Sequence, residues 1–167
     1  QREDSSRDRF IVTESLFSMD GDLAPLDKLY QLTSRYDAGL IIDEAHATGV
    51  CGPSGRGLVA ASGRPDSVIA TVHTCGKALA SMGAFVACAP TVAQYLVNKA
   101  RPYIFSTALA PYLAVQTLAA LRVALECEPE RQHLTAISTL LREGARSAGF
   151  DTGLSTSHIV PLILGSN

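Results

Sequence analysis

Gly39-Leu40-Ile41-Ile42-Asp43-Glu44-Ala45-His46 sets an unbroken apolar run directly before two carboxylates and an imidazole. A run without polar alternation, bounded by glycine and by charge, reads as a buried strand that stops at Asp43. Upstream, Asp22 or Pro25 opens a helix that runs to about Tyr36, because Leu26, Leu29, Tyr30 and Thr33 recur at i, i+3, i+4 and i+7. Before that helix, Arg9-Phe10-Ile11-Val12-Thr13 reads as a short strand. Downstream, Cys51 to Gly63 is rich in Gly, Ser and Pro and reads as loop. Ser67 to His73 and Gly83 to Cys88 are further strands, followed by helices at about Thr91–Arg101, Ala110–Cys127 and Glu130–Ala148. Ile159 to Leu164 reads as a last strand. Strands alternating with helices or long crossovers predict an α/β fold with a mainly parallel sheet. Ligands of such sheets sit at the carboxyl ends of the strands. Asp43 and the Thr74–Lys77 segment occupy two of these ends.

The composition agrees with a folded globular domain. The 167 residues are 47% hydrophobic and 18% charged, which suits a packed core and not a disordered chain. A net charge of −2 argues against a nucleic-acid or anionic-membrane surface. No apolar stretch approaches the roughly 20 residues that cross a bilayer. The polar start, Gln1-Arg2-Glu3-Asp4, shows no secretory signal. The first residue is not Met, so the chain reads as a fragment or a processed piece, with room for signals upstream. Cys51, Cys75, Cys88 and Cys127 lack CxxC spacing, and His46, His73, His133 and His158 are scattered. Free thiols in a reducing cytoplasm, and no metal site, are the expectation.

Two motifs carry chemistry. In Asp43-Glu44-Ala45-His46, a carboxylate held at a strand end can pair with a cationic ring nitrogen, and the imidazole three residues on can share the cleft. Alone, an Asp ending a strand is equally a turn former. The same four letters occur in helicases, but those need a phosphate-cradling G-x-x-x-x-G-K-[ST] loop. Gly52 and Gly57 have that separation, and Leu58 stands where the lysine must be. The second motif is Thr74-Cys75-Gly76-Lys77-Ala78-Leu79. No other charged residue lies within ten positions of Lys77. An isolated lysine amine among apolar residues can attack a carbonyl. Gly76 lets a ligand approach the backbone, and Thr74 offers a hydroxyl to a phosphate. Alone, Lys77 is also compatible with a lysine snorkelling from a strand edge.

Taken together and in order, the segments are more specific. Thr13-Glu14-Ser15-Leu16-Phe17-Ser18-Met19-Asp20-Gly21-Asp22, Asp43-Glu44-Ala45-His46-Ala47-Thr48-Gly49-Val50, Gly55-Arg56-Gly57, Thr74–Leu79 and Phe105-Ser106-Thr107-Ala108-Leu109 resemble the α-oxoamine synthases. These are aminotransferase-like, fold-type I enzymes that use pyridoxal 5′-phosphate (PLP). The resemblance implies a fold and a set of roles. Residues 1–148 would form part of the large PLP-binding domain, and 149–167 would start a smaller C-terminal α/β domain. Lys77 would hold the cofactor covalently and later shuttle the substrate's α-proton. Asp43 would pair with the pyridinium nitrogen, His46 and Ser18 would approach the phenolic oxygen, and Thr74 would bind the phosphate. Ser106 and Thr107 would reach the phosphate of a neighbouring subunit in a cytoplasmic homodimer with shared sites.

The substrates implied are an amino acid and an acyl-CoA or acyl-carrier-protein thioester, joined with loss of CO2. Gly83-Ala84-Phe85-Val86-Ala87 and Ala47-Thr48-Gly49-Val50 look most like the members that join L-alanine to a pimeloyl thioester in biotin synthesis. The alternatives are members that make 5-aminolevulinate, transfer acetyl to glycine or transfer palmitoyl to serine. A non-catalytic partner subunit is a further alternative; such partners usually lack the lysine, and Lys77 is present. Ala80 stands where many relatives have Gly, which reads as packing variation. Such enzymes are more than twice this length. An upstream phosphate loop and a downstream carboxylate-binding arginine are not in this sequence.

Overall fold

Leu40 and Ile42 are fully buried, as the apolar run of the central strand requires. The computed structural model describes residues 8–165. Strand β1 (Arg9–Glu14) is followed by helix α1 (Leu26–Tyr36) and strand β2 (Ala38–Asp43). β1 and β2 pair in parallel, Arg9 opposite Ala38 through Glu14 opposite Asp43. α1 is the crossover. Its Tyr30 packs with Leu40, Ile42 and Val59, and Ile11, Leu26, Leu29 and Val68 close around that cluster. The 3.6-residue periodicity of α1 therefore marks the face that covers the sheet.

Residues 51–63 are not a plain loop. Pro53–Gly55 form a 3-10 turn and Leu58–Ala61 the one-turn helix α2, too short to leave a periodic signal. Strand β3 (Ala70–Thr74) begins three residues later than the β-branched run suggests, because Pro65–Ser67 turn as a 3-10 helix first. β3 pairs in parallel with β2 and antiparallel with β4 (Ala84–Cys88). The sheet order is β1-β2-β3-β4, mainly parallel with one antiparallel edge, as expected.

Helices α3 (Pro90–Lys99), α4 (Arg101–Ile104), α5 (Pro111–Glu126) and α6 (Glu128–Ser147) follow. Pro90, Pro111 and Pro129 stand at first or second helical positions, where a missing N–H costs nothing. No described helix is long and apolar enough to cross a membrane. Beyond α6 the chain is tied back by arginines: Arg142 donates to the Ser157 carbonyl, and Arg146 Nε donates to the Thr152 hydroxyl at 2.7 Å. The strand expected at Ile159–Leu164 does not form. Only Ile163 bridges, to Asp151, because Pro161 removes a ladder donor in the middle of the run.

Candidate active site

Parallel pairing brings three strand ends to one edge of the sheet. Asp43 closes β2, and Thr74 closes β3 two residues beyond the Asp43–Val72 pair. The ladder continues past both ends, with Ser15 N–H donating to the Asp43 carbonyl at 2.9 Å and Glu44 N–H to the Val72 carbonyl at 2.8 Å. β1 leads into a turn that carries Ser18. There the Ser18 N–H donates to Glu14 Oε2 at 3.2 Å. The turn docks on the segment after α6: the Ser157 hydroxyl donates to the Gly21 carbonyl at 2.8 Å.

The turn after β2 is held tightly. Asp43 Oδ1 accepts the Ala45 N–H at 2.7 Å, and among the described residues no hydrogen bond holds its other oxygen. Glu44 points the opposite way. It is fully buried, and its Oε1 accepts the Val59 N–H at 3.2 Å. Burial raises the Glu44 pKa, opposed by the Ser15 hydroxyl and the Val59 and Leu58 amides. Gly57 explains one motif position. A Cβ there would collide with Glu44 Oε2, and its φ is +97°, so Gly57 of this motif leaves room to seat Glu44. His46 is half-buried. Near it stands His158, whose pKa is lowered by burial and by the His46 imidazole.

Lys77 lies on the connection between the antiparallel strands β3 and β4. Cys75 N–H donates to the Gly83 carbonyl at 2.9 Å, Ser81 N–H to the Cys75 carbonyl at 2.8 Å and Ala80 N–H to the Lys77 carbonyl at 3.0 Å. Cys75 and Leu79 are each 3% exposed and pin the loop on both sides of an exposed Lys77. The lysine is thus presented to the outside of the sheet edge; its apolar neighbours in sequence anchor the loop and do not enclose the amine. Thr74 Oγ1 is buried and has no hydrogen-bond partner among the described residues.

Ala80 is more than packing variation. Its φ is +46°, the left-handed region that Cβ disfavours and glycine adopts freely. Ala80→Gly is expected to stabilise the full-length apoprotein by about 0.5–1 kcal/mol. The check is a higher denaturation midpoint in urea at unchanged slope.

Ser106 and Thr107 are exposed on the connection between α4 and α5, and among the described residues no hydrogen bond joins them to Asp43, Thr74 or Lys77. All four cysteines are free. The Cys51 thiol, pushed up to about 11 by burial and by Glu44, stays protonated at neutral pH. The sequence reading overlooked His73 and His158. Strand alternation was the available signal for His73, since Thr71 and His73 share one face of β3 and Thr74 the other. No local pattern marks His158.

A parallel sheet with a strand-end carboxylate, an unpartnered threonine and an outward lysine along one edge defines a class that the comparisons identify. The chain belongs to the family of class I and II aminotransferases, which matches residues 1–167. It is 48% identical over 161 residues to the 8-amino-7-oxononanoate synthase of Chlorobaculum parvum, covering 96% of this chain and 41% of that protein. It is 44% identical over 161 residues to the 8-amino-7-oxononanoate synthase of Anaeromyxobacter sp. strain K, covering 96% of this chain and 40% of that protein. Among solved structures, a Sphingomonas wittichii serine palmitoyltransferase superposes with a TM-score of 0.90 at 29% identity, covering 98% of this chain and 41% of that one. The 8-amino-7-oxononanoate synthase of Francisella tularensis gives 0.84 at 30% identity, covering 99% and 48%. Both kinds of relative are α-oxoamine synthases, the group the motifs resemble. The chain spans about two fifths of the length of the curated relatives it matches.

Proposed function

We propose that the full-length protein is a PLP-dependent 8-amino-7-oxononanoate synthase, joining L-alanine to a pimeloyl thioester with release of CO2. The observation that carries this reading is the 48% identity to an enzyme of that name across nearly the whole chain. The residues present fit the cofactor. A buried hydroxyl without a partner costs about 1–3 kcal/mol, and a phosphate oxygen at Thr74 would remove that cost. The oxygen of Asp43 that Ala45 leaves unengaged is available to a ring N–H. When bound, the cofactor supplies the electron sink for a carbanion.

The chain's own residues then have separate tasks. Lys77 holds the cofactor covalently and moves the α-proton of the amino acid. Asp43 keeps the ring nitrogen protonated by opposite-charge attraction. His46 and Ser18 hydrogen-bond the ring's phenolic oxygen and orient it. Ser106 and Thr107 serve the phosphate of a second subunit in a cytoplasmic homodimer, which accounts for their exposure within one chain. Residues 1–148 belong to the large domain and 149–167 start the small one.

A second reading is another α-oxoamine synthase, favoured by the TM-score of 0.90 to serine palmitoyltransferase. Competition among pimeloyl, succinyl, acetyl and palmitoyl thioesters, measured as kcat/KM with alanine, glycine and serine, separates the two. The expected result is highest kcat/KM for pimeloyl with alanine. Glycine should retain some turnover, because a pocket distinguishes one methyl by only about 1–3 kcal/mol. Preference for succinyl or acetyl with glycine, or for palmitoyl with serine, would overturn the assignment.

A further inference from the structure

His73 is the one buried imidazole of the described residues that the proposed reaction does not use. It stands on β3 next to Thr74, 9% exposed, with both ring nitrogens and one face engaged. Its Nδ1 lies 2.8 Å from the Thr48 hydroxyl and its Nε2 3.0 Å from the Thr71 hydroxyl. Its face stacks on Phe85 of β4, centroids 4.9 Å apart and planes 15° from parallel.

The shortest contact of the group sets the direction we assign to these bonds. The Thr48 hydroxyl donates its proton to the Glu44 carbonyl at 2.7 Å. With that proton on the carbonyl, Thr48 accepts from His73, and Nδ1 is the nitrogen that carries the hydrogen. Nε2 then has a lone pair and accepts from the Thr71 hydroxyl, whose other acceptor, the Ala87 carbonyl, is 3.5 Å away. The result is a directed chain from Thr71 through His73 and Thr48 to the Glu44 carbonyl. That carbonyl also accepts the Ala47 and Thr48 N–H groups at 3.0 and 2.8 Å. The turn from Asp43 to Thr48 is thus anchored at its start by Asp43 Oδ1 on Ala45 N–H, and at its end by His73. His46 sits between the two anchors.

We infer that His73 is a positioning residue: as a neutral Nδ1–H tautomer it grips Thr48 and so fixes the turn that aims Asp43 and His46. This rests on the cofactor reading above. A ring held on both nitrogens and one face has no freedom to reach substrate, so it acts through the turn. Burial lowers the His73 pKa, and the Asp43 carboxylate opposes the shift; the first effect favours the neutral form that the hydrogen-bond directions require.

The test uses the full-length protein with 15N-labelled histidine, as apoprotein and with added pyridoxal phosphate. In the wild-type apoprotein His73 should give the nitrogen shifts of a neutral Nδ1–H ring; an Nε2–H or doubly protonated ring overturns the inference. His73→Phe keeps the stack and loses both hydrogen bonds, Thr48→Val removes the receiving hydroxyl, and His73→Asn restores a donor toward Thr48. His73→Phe and Thr48→Val should each displace the visible band of the bound cofactor and lower kcat about tenfold, while KM for alanine changes about twofold or less. His73→Asn should recover most of both. Unchanged band and kcat in His73→Phe, or no recovery in His73→Asn, overturns the inference while the wild-type band stands. If the wild type itself gives no band, the cofactor reading has failed, and the tautomer in the apoprotein still decides the role of His73.

Discussion

Lys77→Ala in the full-length protein is expected to remove the covalently held cofactor and nearly all turnover. Borohydride reduction of the wild type should fix a pyridoxyl group to the chain, and peptide mapping should find it on Lys77. The structural reason is the loop. Buried Cys75 and Leu79 clamp the backbone on either side of an exposed lysine, so the chain carries Lys77 at a fixed position on the sheet edge, three residues beyond Thr74. The other lysines of this chain lack such a setting. Lys28 is exposed on α1, and Lys99 is exposed in the last turn of α3, where a cation suits the helix dipole. Loss of a positioned acid–base group costs roughly 100- to 10,000-fold, and α-proton exchange of alanine with deuterated solvent should fall by that factor. A label on Lys28 or Lys99, or exchange at wild-type rate in Lys77→Ala, would remove Lys77 from the reaction.

The parts of the fold legible in the sequence are those where one physical rule acts alone. β2 is an uninterrupted apolar run, and α1 carries a periodic stripe that lands on Leu40 and Ile42. What was not legible depends on contacts between distant segments. The one-turn helix at Leu58–Ala61 exists because Gly57 yields its space to Glu44 and the Val59 N–H meets that carboxylate. The strand expected at Ile159–Leu164 had the composition but not the donors, since Pro161 interrupts it. At the site, Asp43 and Thr74 stand at strand ends because the sheet pattern put them there. His73 escaped notice because its meaning lies in Thr48, 25 residues away. In sequence Ala80 looks like packing variation, and only its positive φ reveals the cost.

Asp43→Asn should leave the cofactor bound and slow the reaction by about 100-fold or more, equivalent to ~2.7 kcal/mol of transition-state stabilisation. The geometry separates the two functions of this side chain. Oδ1 accepts the Ala45 N–H at 2.7 Å, a structural bond that an amide oxygen reproduces, so the turn should survive the change. The other oxygen would become an NH2 group. That group has no charge and cannot favour a protonated ring nitrogen electrostatically. Binding and electronic activation should therefore come apart: PLP affinity within about threefold of wild type by titration, and α-proton exchange strongly reduced. Glu44→Gln is the control. Glu44 is fully buried on the other side of the turn, and its Oε1 holds the Val59 N–H, a bond the amide oxygen keeps. Exchange in that variant should stay close to wild type. If Asp43→Asn exchanged the α-proton as fast as Glu44→Gln, the strand-end carboxylate would be a turn former only, and the ring nitrogen would have to find its partner in the remainder of the enzyme.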